Sequence, residues 1–211
     1  MSYEYKEKNH YFIGNIFKND EQIKILRNIQ KKLKKRYYLK NTHYNNKLFT
    51  NLIYLGYLDA FTANLYMENI VNYLLDQIKN NFTTLNCNYT GYTLKYDKSF
   101  YKISLKFNDE NNYLEKIIIP YLHKEAILPI YTSKKNILKP MIDLVYFKDS
   151  SILKDSKIKI NIKVPEENFE INEISLIKGN SIHDRRGIPS IHNQMILEEV
   201  SNYTIKLKEN I

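Results

Sequence analysis

The sequence predicts one α+β or α/β domain with a mixed sheet and two main helices, and three observations carry that prediction. Strand and helix patterns alternate from residue 11 to residue 80, strand patterns dominate afterwards, and no stretch rich in Gly, Pro or Ser divides the 211 residues. The expected organisation is therefore a single unit over residues 1–211.

The elements follow in order. Tyr11 to Phe17 (YFIGNIF) is aromatic and β-branched, as a buried strand should be, with Gly14 where a neighbouring backbone can come close. Asp20 is placed to cap a helix to about Tyr38, because Ile23, Leu26, Ile29, Leu33 and Tyr37 recur at helical spacing. Within it, Lys31 to Arg36 (KKLKKR) is the densest basic run; such a run is ordinarily the wet face of a helix, and it also suits phosphate. Leu48 to Leu55 is a second strand ending at Gly56. Asp59 opens a long helix to about Asn80, with Phe61, Leu65, Ile70, Leu74 and Ile78 as its expected buried stripe.

Residues 83 to 107 read as strands separated by turn residues, and Asn108 and Asp109 as the cap of a further helix that Pro120 kinks or ends. Leu138 to Phe147 is a strand. Lys157 to Val164 (KIKINIKV) alternates strictly, as a half-exposed strand does, and Phe169 to Lys178 reads as one further strand. A polar loop and a last strand complete the chain.

Composition narrows the chemistry. Hydrophobic residues are 43% and aromatics 13%, ample for a packed core. One cysteine, Cys87, leaves no intramolecular disulfide and no multi-cysteine zinc site, and the five histidines fit no common metal-ligand spacing. No metal and no cofactor are expected. The N-terminal MSYEYKEKNHYF has no apolar segment of the secretory kind, and no run approaches the roughly 20 apolar residues of a membrane span. A cytoplasmic protein without a membrane partner is expected. The net charge of +9 favours phosphates, nucleotides and short RNA as partners; it also fits a lysine-rich genome that keeps its proteins soluble. Phosphate-cradling glycine motifs are absent, and Tyr89 to Tyr92 (YTGY) could stack bases only in the sense that any exposed tyrosine can.

The most informative feature is an internal echo. Residues 49–55 read F-T-N-L-I-Y-L and residues 141–147 read M-I-D-L-V-Y-F. Both are expected strands, and Asn and Asp are poor strand residues, yet each stands third in the same pattern. Period-two alternation puts Phe49 with Asn51, and Met141 with Asp143, on one side of their strands.

In this arrangement the chain resembles the two-histidine phosphoesterases, which include LigT-like RNA cyclic phosphodiesterases and the nucleotide-binding domain of a mammalian A-kinase anchoring protein. That family carries two H-x-[ST] motifs on strands of two pseudo-symmetric lobes. LFTNLIYLG with the helix after it matches the frame of the first. Lys139-Pro140-Met141-Ile142-Asp143-Leu144 matches the second, which commonly reads Lys-Pro-His-x-Thr followed by an apolar residue. The opening strand and ISLIKGNSIHDRRGIPSI fit the family's order as well. The resemblance implies a two-lobed, LigT-like fold with antiparallel or mixed sheets around a central cleft.

It also implies a departure. Phe49 and Met141 stand at the histidine positions, Asn51 and Asp143 at the hydroxyl positions. Neither Phe nor Met can move a proton, which removes roughly two to four orders of magnitude per group. A carboxylate at Asp143 repels phosphate unless it is protonated or paired. A degenerate relative is expected to bind a nucleotide, cyclic nucleotide or RNA end at Phe49, Asn51, Met141 and Asp143 without cutting it. Family members of viruses and phages destroy host nucleotide signals, so a degenerate one could sequester them. Lys139, His183, Arg185 and Arg186 are candidate phosphate contacts, since adjacent arginines on a polar loop can grip an anion bidentately.

Two other classes are kept. One is a structural or protein-binding subunit whose cleft is filled by Phe49 and Met141. The other is a phosphodiesterase with relocated chemistry, in which His43 or His183 reaches the cleft.

Overall fold

The computed structural model describes residues 8–81, 85–97, 100–112, 116, 140–153, 159–181 and 195–204. Strand β1 (Lys8–Ile16) is followed by helix α1 (Asp20–Arg36). The cap of α1 is Asn19 rather than the expected Asp20: its side-chain oxygen accepts from the backbone N–H of Glu21 at 2.9 Å and Gln22 at 3.2 Å. Asp20 and Glu21 instead lie in the first turn, and Lys34, Lys35 and Arg36 in the last, matching the helix dipole at both ends. Leu26, Ile29 and Leu33 are buried as the periodicity predicts, and the Gln30 amide donates to the Leu144 carbonyl at 2.6 Å, fixing the helix to the sheet.

Strand β2 (Leu39–Lys40) precedes the long β3 (Phe49–Asp59), which leads into α2 (Ala60–Asn81). Asp59 does cap α2, accepting from both the N–H and the hydroxyl of Thr62. The expected stripe of α2 holds at Ile70 and fails at its start: among the described side chains Ala63, Met67 and Ile70 are buried, whereas Phe61 is 71% exposed and Leu65 48%; the side chains of Leu74 and Ile78 lie outside the described residues. So many positions of this helix are apolar that the pattern could not single out the buried face.

Strands β4 (Leu85–Asp97) and β5 (Phe100–Asp109) form the longest ladder. Asn108 and Asp109, expected to cap a helix, finish β5; the predicted helix beyond them lies outside the described residues, apart from the Lys116 N–H donating to the Asn112 carbonyl. Then come β6 (Met141–Phe147), β7 (Asp149–Ser150), β8 (Phe169–Ile171), β9 (Glu173–Ser181) and β10 (Met195–Thr204).

Eight strands form one sheet in the order β10-β9-β1-β3-β6-β5-β4-β8, and β2 pairs with β7. Every one of these pairings is antiparallel, so the sheet is not mixed. The expected single strand Phe169–Lys178 is two, broken at Asn172. Laid flat, six spacings of about 4.8 Å would separate β8 from β9 by roughly 29 Å. One intervening residue spans far less, about 3.8 Å per step. The sheet therefore curls strongly, bringing its two ends together.

The expected strand at Lys157–Val164 is also absent where it is described. Ile160, Ile162 and Val164 pack on the core while their neighbours are exposed, so the alternation is real. The backbone, however, bonds to side chains instead of a neighbouring strand. The Asn161 N–H donates to the Tyr37 hydroxyl at 2.6 Å, and the Tyr92 hydroxyl donates to the Lys163 carbonyl at 3.3 Å. Alternation reports one-sided burial, which a strap laid over a core shares with a strand.

Both helices cover one face of the sheet, through the main core that includes Leu26, Leu33, Met67 and Ile70 with Ile13, Leu52, Ile103 and Leu144. The other face, called distal below, carries the echoed residues.

Candidate functional site

The echo lies at the centre of the sheet. β3 pairs with β6 through Thr50 opposite Ile142 and Asn51 opposite Met141. Thr50 and Ile142 are the middle residues of the triplets F-T-N and M-I-D, so the register sets the two triplets against each other, head to tail. A pseudo-two-fold axis passes between Thr50 and Ile142. It relates β3-β1-β9-β10 on one side to β6-β5-β4-β8 on the other, each a run of four antiparallel strands.

Residues opposite one another in a ladder share a face, so rows across the distal face can be followed from register alone. The first row runs Ser175, Gly14, Asn51, Met141, Lys106, Gly91. The next includes Ile16 with Phe49, and Asp143 with Ser104 and Thr93. A third runs His43, Tyr146, Lys102, Lys95. The four expected motif residues Phe49, Asn51, Met141 and Asp143 thus stand together at the seam. Lys139, His183, Arg185 and Arg186 lie outside the described residues.

The two halves of the site differ sharply. On the first, Phe49 is 3% exposed and belongs to an apolar cluster with Phe12, Ile16, Ile177, Met195 and Leu197. Its ring meets Phe12 edge-on at 5.6 Å between centroids, and Phe12 in turn meets Tyr54 at 5.1 Å. This half-site is filled with hydrocarbon. Two adjacent strands explain the local sequence: β1 can pass close to β3 only because Gly14 has no side chain, a Cβ there falling 1.9 Å from the Thr50 carbonyl oxygen.

On the second half, Asp143 is buried in a polar network. Lys102 donates to its Oδ2 at 2.9 Å, the Tyr146 hydroxyl to the same oxygen at 2.9 Å, and the Ser104 hydroxyl to Oδ1 at 2.6 Å. Burial alone would push the Asp143 carboxyl up. The Lys102 ammonium and the three hydrogen bonds outweigh it and hold the group below its ordinary range. Burial, followed by the charge of Asp143, pushes the Tyr146 phenol well above its own. The carboxylate is therefore ionised, paired and saturated with donors. Asp143 is neither an exposed repeller of phosphate nor a proton carrier.

Beside this pair stand further cations. Lys95 and Lys106 flank Lys102 on the same face, and among the described residues no carboxylate pairs with either. Half-burial, and then the neighbouring Lys102 charge, lower the Lys95 ammonium below its ordinary value, with Asp143 only partly opposing them. At the rim, the Lys148 ammonium lies 5.2 Å from the centre of the Phe100 ring, and His43 meets the same ring edge-on at 6.1 Å. The Asn51 side-chain oxygen, at the seam itself, is buried without a hydrogen-bond partner.

These lysines were missed in the sequence although a signal existed. β5 reads K-I-S-L-K-F over residues 102–107, with Ile103, Leu105 and Phe107 in the core, so Lys102, Ser104 and Lys106 must share the other face. Their neighbourhood to Asp143 comes only from the register of β5 on β6.

Other candidates fall away from the seam. His43 pairs its backbone with Tyr146 and is exposed, five residues along β6 from Met141, roughly 16 Å at about 3.3 Å per residue. Tyr89 stacks on Phe169 at 5.0 Å, and Tyr92 is tied to the Lys163 carbonyl, so this pair packs against protein. Cys87 is buried, its thiol pushed up by burial and by Asp109 and Glu110. No group of three or more metal-ligating side chains occurs among the described residues, and no described helix is long and apolar enough to cross a membrane.

A solved structure of TT0787 from Thermus thermophilus superposes with a TM-score of 0.55 at 14% identity, over 93% of this chain and 98% of that one. Apo LigT of E. coli gives 0.55 at 14%, over 95% and 99%, and a structure described as a phosphoesterase gives 0.51 at 10%, over 94% and 99%. The chain has the LigT-like, two-histidine phosphoesterase fold. No family model and no curated protein sequence matches it. At these identities the likeness establishes the architecture alone.

Proposed function

We propose that this protein, as one domain over residues 1–211, binds a phosphate-bearing ligand at the seam and does not cleave it. The ligand class is a nucleotide, a cyclic nucleotide or the end of a short RNA. One observation carries the reading: the positions that would move protons are Phe49 and Met141, while Lys106 lies opposite Met141 and Lys95 opposite Lys102 on the same face, neither paired with a carboxylate among the described residues. In such a site Lys102 keeps Asp143 neutralised, Lys95 and Lys106 meet phosphate oxygens, and the Asn51 oxygen accepts from a hydroxyl or amine of the ligand. Binding an anion also relieves the repulsion between Lys95 and Lys102.

The test is mass spectrometry of small molecules released by heat from protein incubated with linear and cyclic mono- and oligonucleotides. The expected result is one intact compound at near-stoichiometric yield, lost in Lys95→Met/Lys106→Met. Recovery of a cleaved product would overturn the non-cleaving part. Empty protein would favour a second reading, a protein-interaction subunit, which draws support from the filled Phe49 half-site and from Ile196, Val200 and Tyr203 exposed on the terminal strand β10.

A further inference from the structure

The basic run at the end of α1 does more than face water. Helical spacing puts Lys32, Lys35 and Arg36 on one side, and there they meet the strap that follows residue 159. Between them lies a groove of about 510 Å³ lined by Lys32, Lys35, Arg36, Tyr38, Ile162 and Lys163. Four of these six residues are cations and none is acidic. Lys163 also bonds Glu166 at 2.7 Å, but both side chains are 78% exposed, and such a pair yields readily to a competing anion.

The walls are held in place. Tyr37 accepts the Asn161 N–H on its hydroxyl and the Ser150 hydroxyl on its carbonyl, each at 2.6 Å, so strap and helix end are fixed to each other. The chain then turns through Tyr38 at φ 49°, in the left-handed region that bulky residues seldom enter. The result is an aromatic ring 65% exposed at the lip of a cationic groove. The groove lies on the helix-covered side of the sheet, away from the seam.

We propose that this groove binds single-stranded nucleic acid, with backbone phosphates on Lys32, Lys35, Arg36 and Lys163 and one base stacked on Tyr38. Cations that track a backbone beside an exposed aromatic ring are the chemistry of sequence-tolerant single-strand binding. The volume falls within the range of about 300–1,000 Å³ typical of ligand sites and admits a nucleotide. Ile162 is the only aliphatic residue among the described lining residues. This site stands independently of what binds at the seam.

Fluorescence anisotropy with labelled oligo(U) and oligo(dT) tests it. Lys32→Glu/Lys35→Glu should weaken binding tenfold or more and flatten the slope of log K against log salt by about 1.4, two phosphate contacts at about 0.7 each. Tyr38→Ala should weaken binding about tenfold and Tyr38→Phe should restore it. Lys8→Met, at an exposed lysine of β1 outside both the groove and the seam, should leave it intact. In the unsubstituted protein, 4-thiouridine oligonucleotides should crosslink to Tyr38 on peptide mapping, a readout that needs no variant to fold. Unchanged affinity in the folded charge-reversed variant would overturn the proposal. So would an equal loss in Lys8→Met, or binding to phosphatidylserine vesicles or an acidic protein with none to oligonucleotide.

Discussion

Asp143 and Lys102 form a buried pair whose two members depend on each other. Removing the carboxylate leaves an ammonium in the interior with one fewer acceptor. Asp143→Ala should therefore lower unfolding free energy by about 3–5 kcal/mol in urea titrations. Replacing both residues, Lys102→Met with Asp143→Leu, should return most of that loss, because apolar groups need no partner. The pH dependence has a definite sign. The folded-state Asp143 carboxyl lies below its ordinary range, since Lys102 and the three donors outweigh burial. Its contribution is complete above the unfolded value near 3.9 and disappears as pH falls through the folded one. Stability of the native protein should thus drop more steeply below about pH 4 than stability of Asp143→Asn. Lys95 has the opposite character. Burial and Lys102 lower its ammonium, so the folded state disfavours its charge, and that opposition to folding lifts only as pH rises toward the ordinary lysine range. Lys95→Met should raise Tm at pH 7 without ligand and weaken ligand binding at the same time. A variant that loses both stability and binding would contradict this assignment.

Elements were legible in the sequence where one face of a segment is buried and a local residue marks the end. α1 shows both, with its correct stripe and an amide cap one residue before the expected one. α2 has the marked start at Asp59 but no clear stripe, and for that reason its first turns were misjudged at Phe61 and Leu65 while Ile70 is buried as expected. The KIKINIKV segment shows the limit of alternation: Ile160, Ile162 and Val164 do face the core, and the hydrogen bonds still go to Tyr37 and from Tyr92. Likewise β8 and β9 look continuous, because a break of one residue, Asn172, leaves no trace in hydrophobicity. Gly14 was legible as a close approach, and β1 makes its strongest demand there. A methyl group at that position falls on the Thr50 carbonyl oxygen, so backbone would have to move in the strand that carries Phe49 and Asn51. Gly14→Ala should cost about 1–3 kcal/mol or more, read as an earlier urea midpoint. Gly14 is distant in register from Lys95, whose ammonium should keep its properties in that variant.

At the scale of the molecule, the seam was the part of the site most visible in the sequence. F-T-N and M-I-D repeat because they are the same place in two halves of one sheet, and the axis between Thr50 and Ile142 relates them. What was hidden is that the halves have diverged in kind. One is closed by hydrocarbon drawn from β1, β9 and β10 around Phe49; the other is charged by lysines drawn from β4 and β5 around Asp143. No short window of sequence contains either set. This difference makes a strong prediction about placing histidines at the two positions where the resemblance would set them. Phe49→His places an imidazole among Phe12, Ile177, Met195 and Leu197, where a buried polar group without a partner costs about 1–3 kcal/mol. Met141→His places one opposite Asn51 and Lys106, where the cations disfavour its charged form. Neither imidazole gains the hydroxyl neighbour that the resembling family sets two residues on, since Asn51 and Asp143 remain. The double variant should be less stable than the native protein and should release no product from a cyclic phosphodiester over hours, followed by liquid chromatography. Turnover in that variant would mean that both half-sites hold catalytic geometry and need only the two imidazoles. Silence in the double variant, with turnover once Asn51→Thr and Asp143→Thr are added, would place the deficit in phosphate positioning rather than in proton transfer.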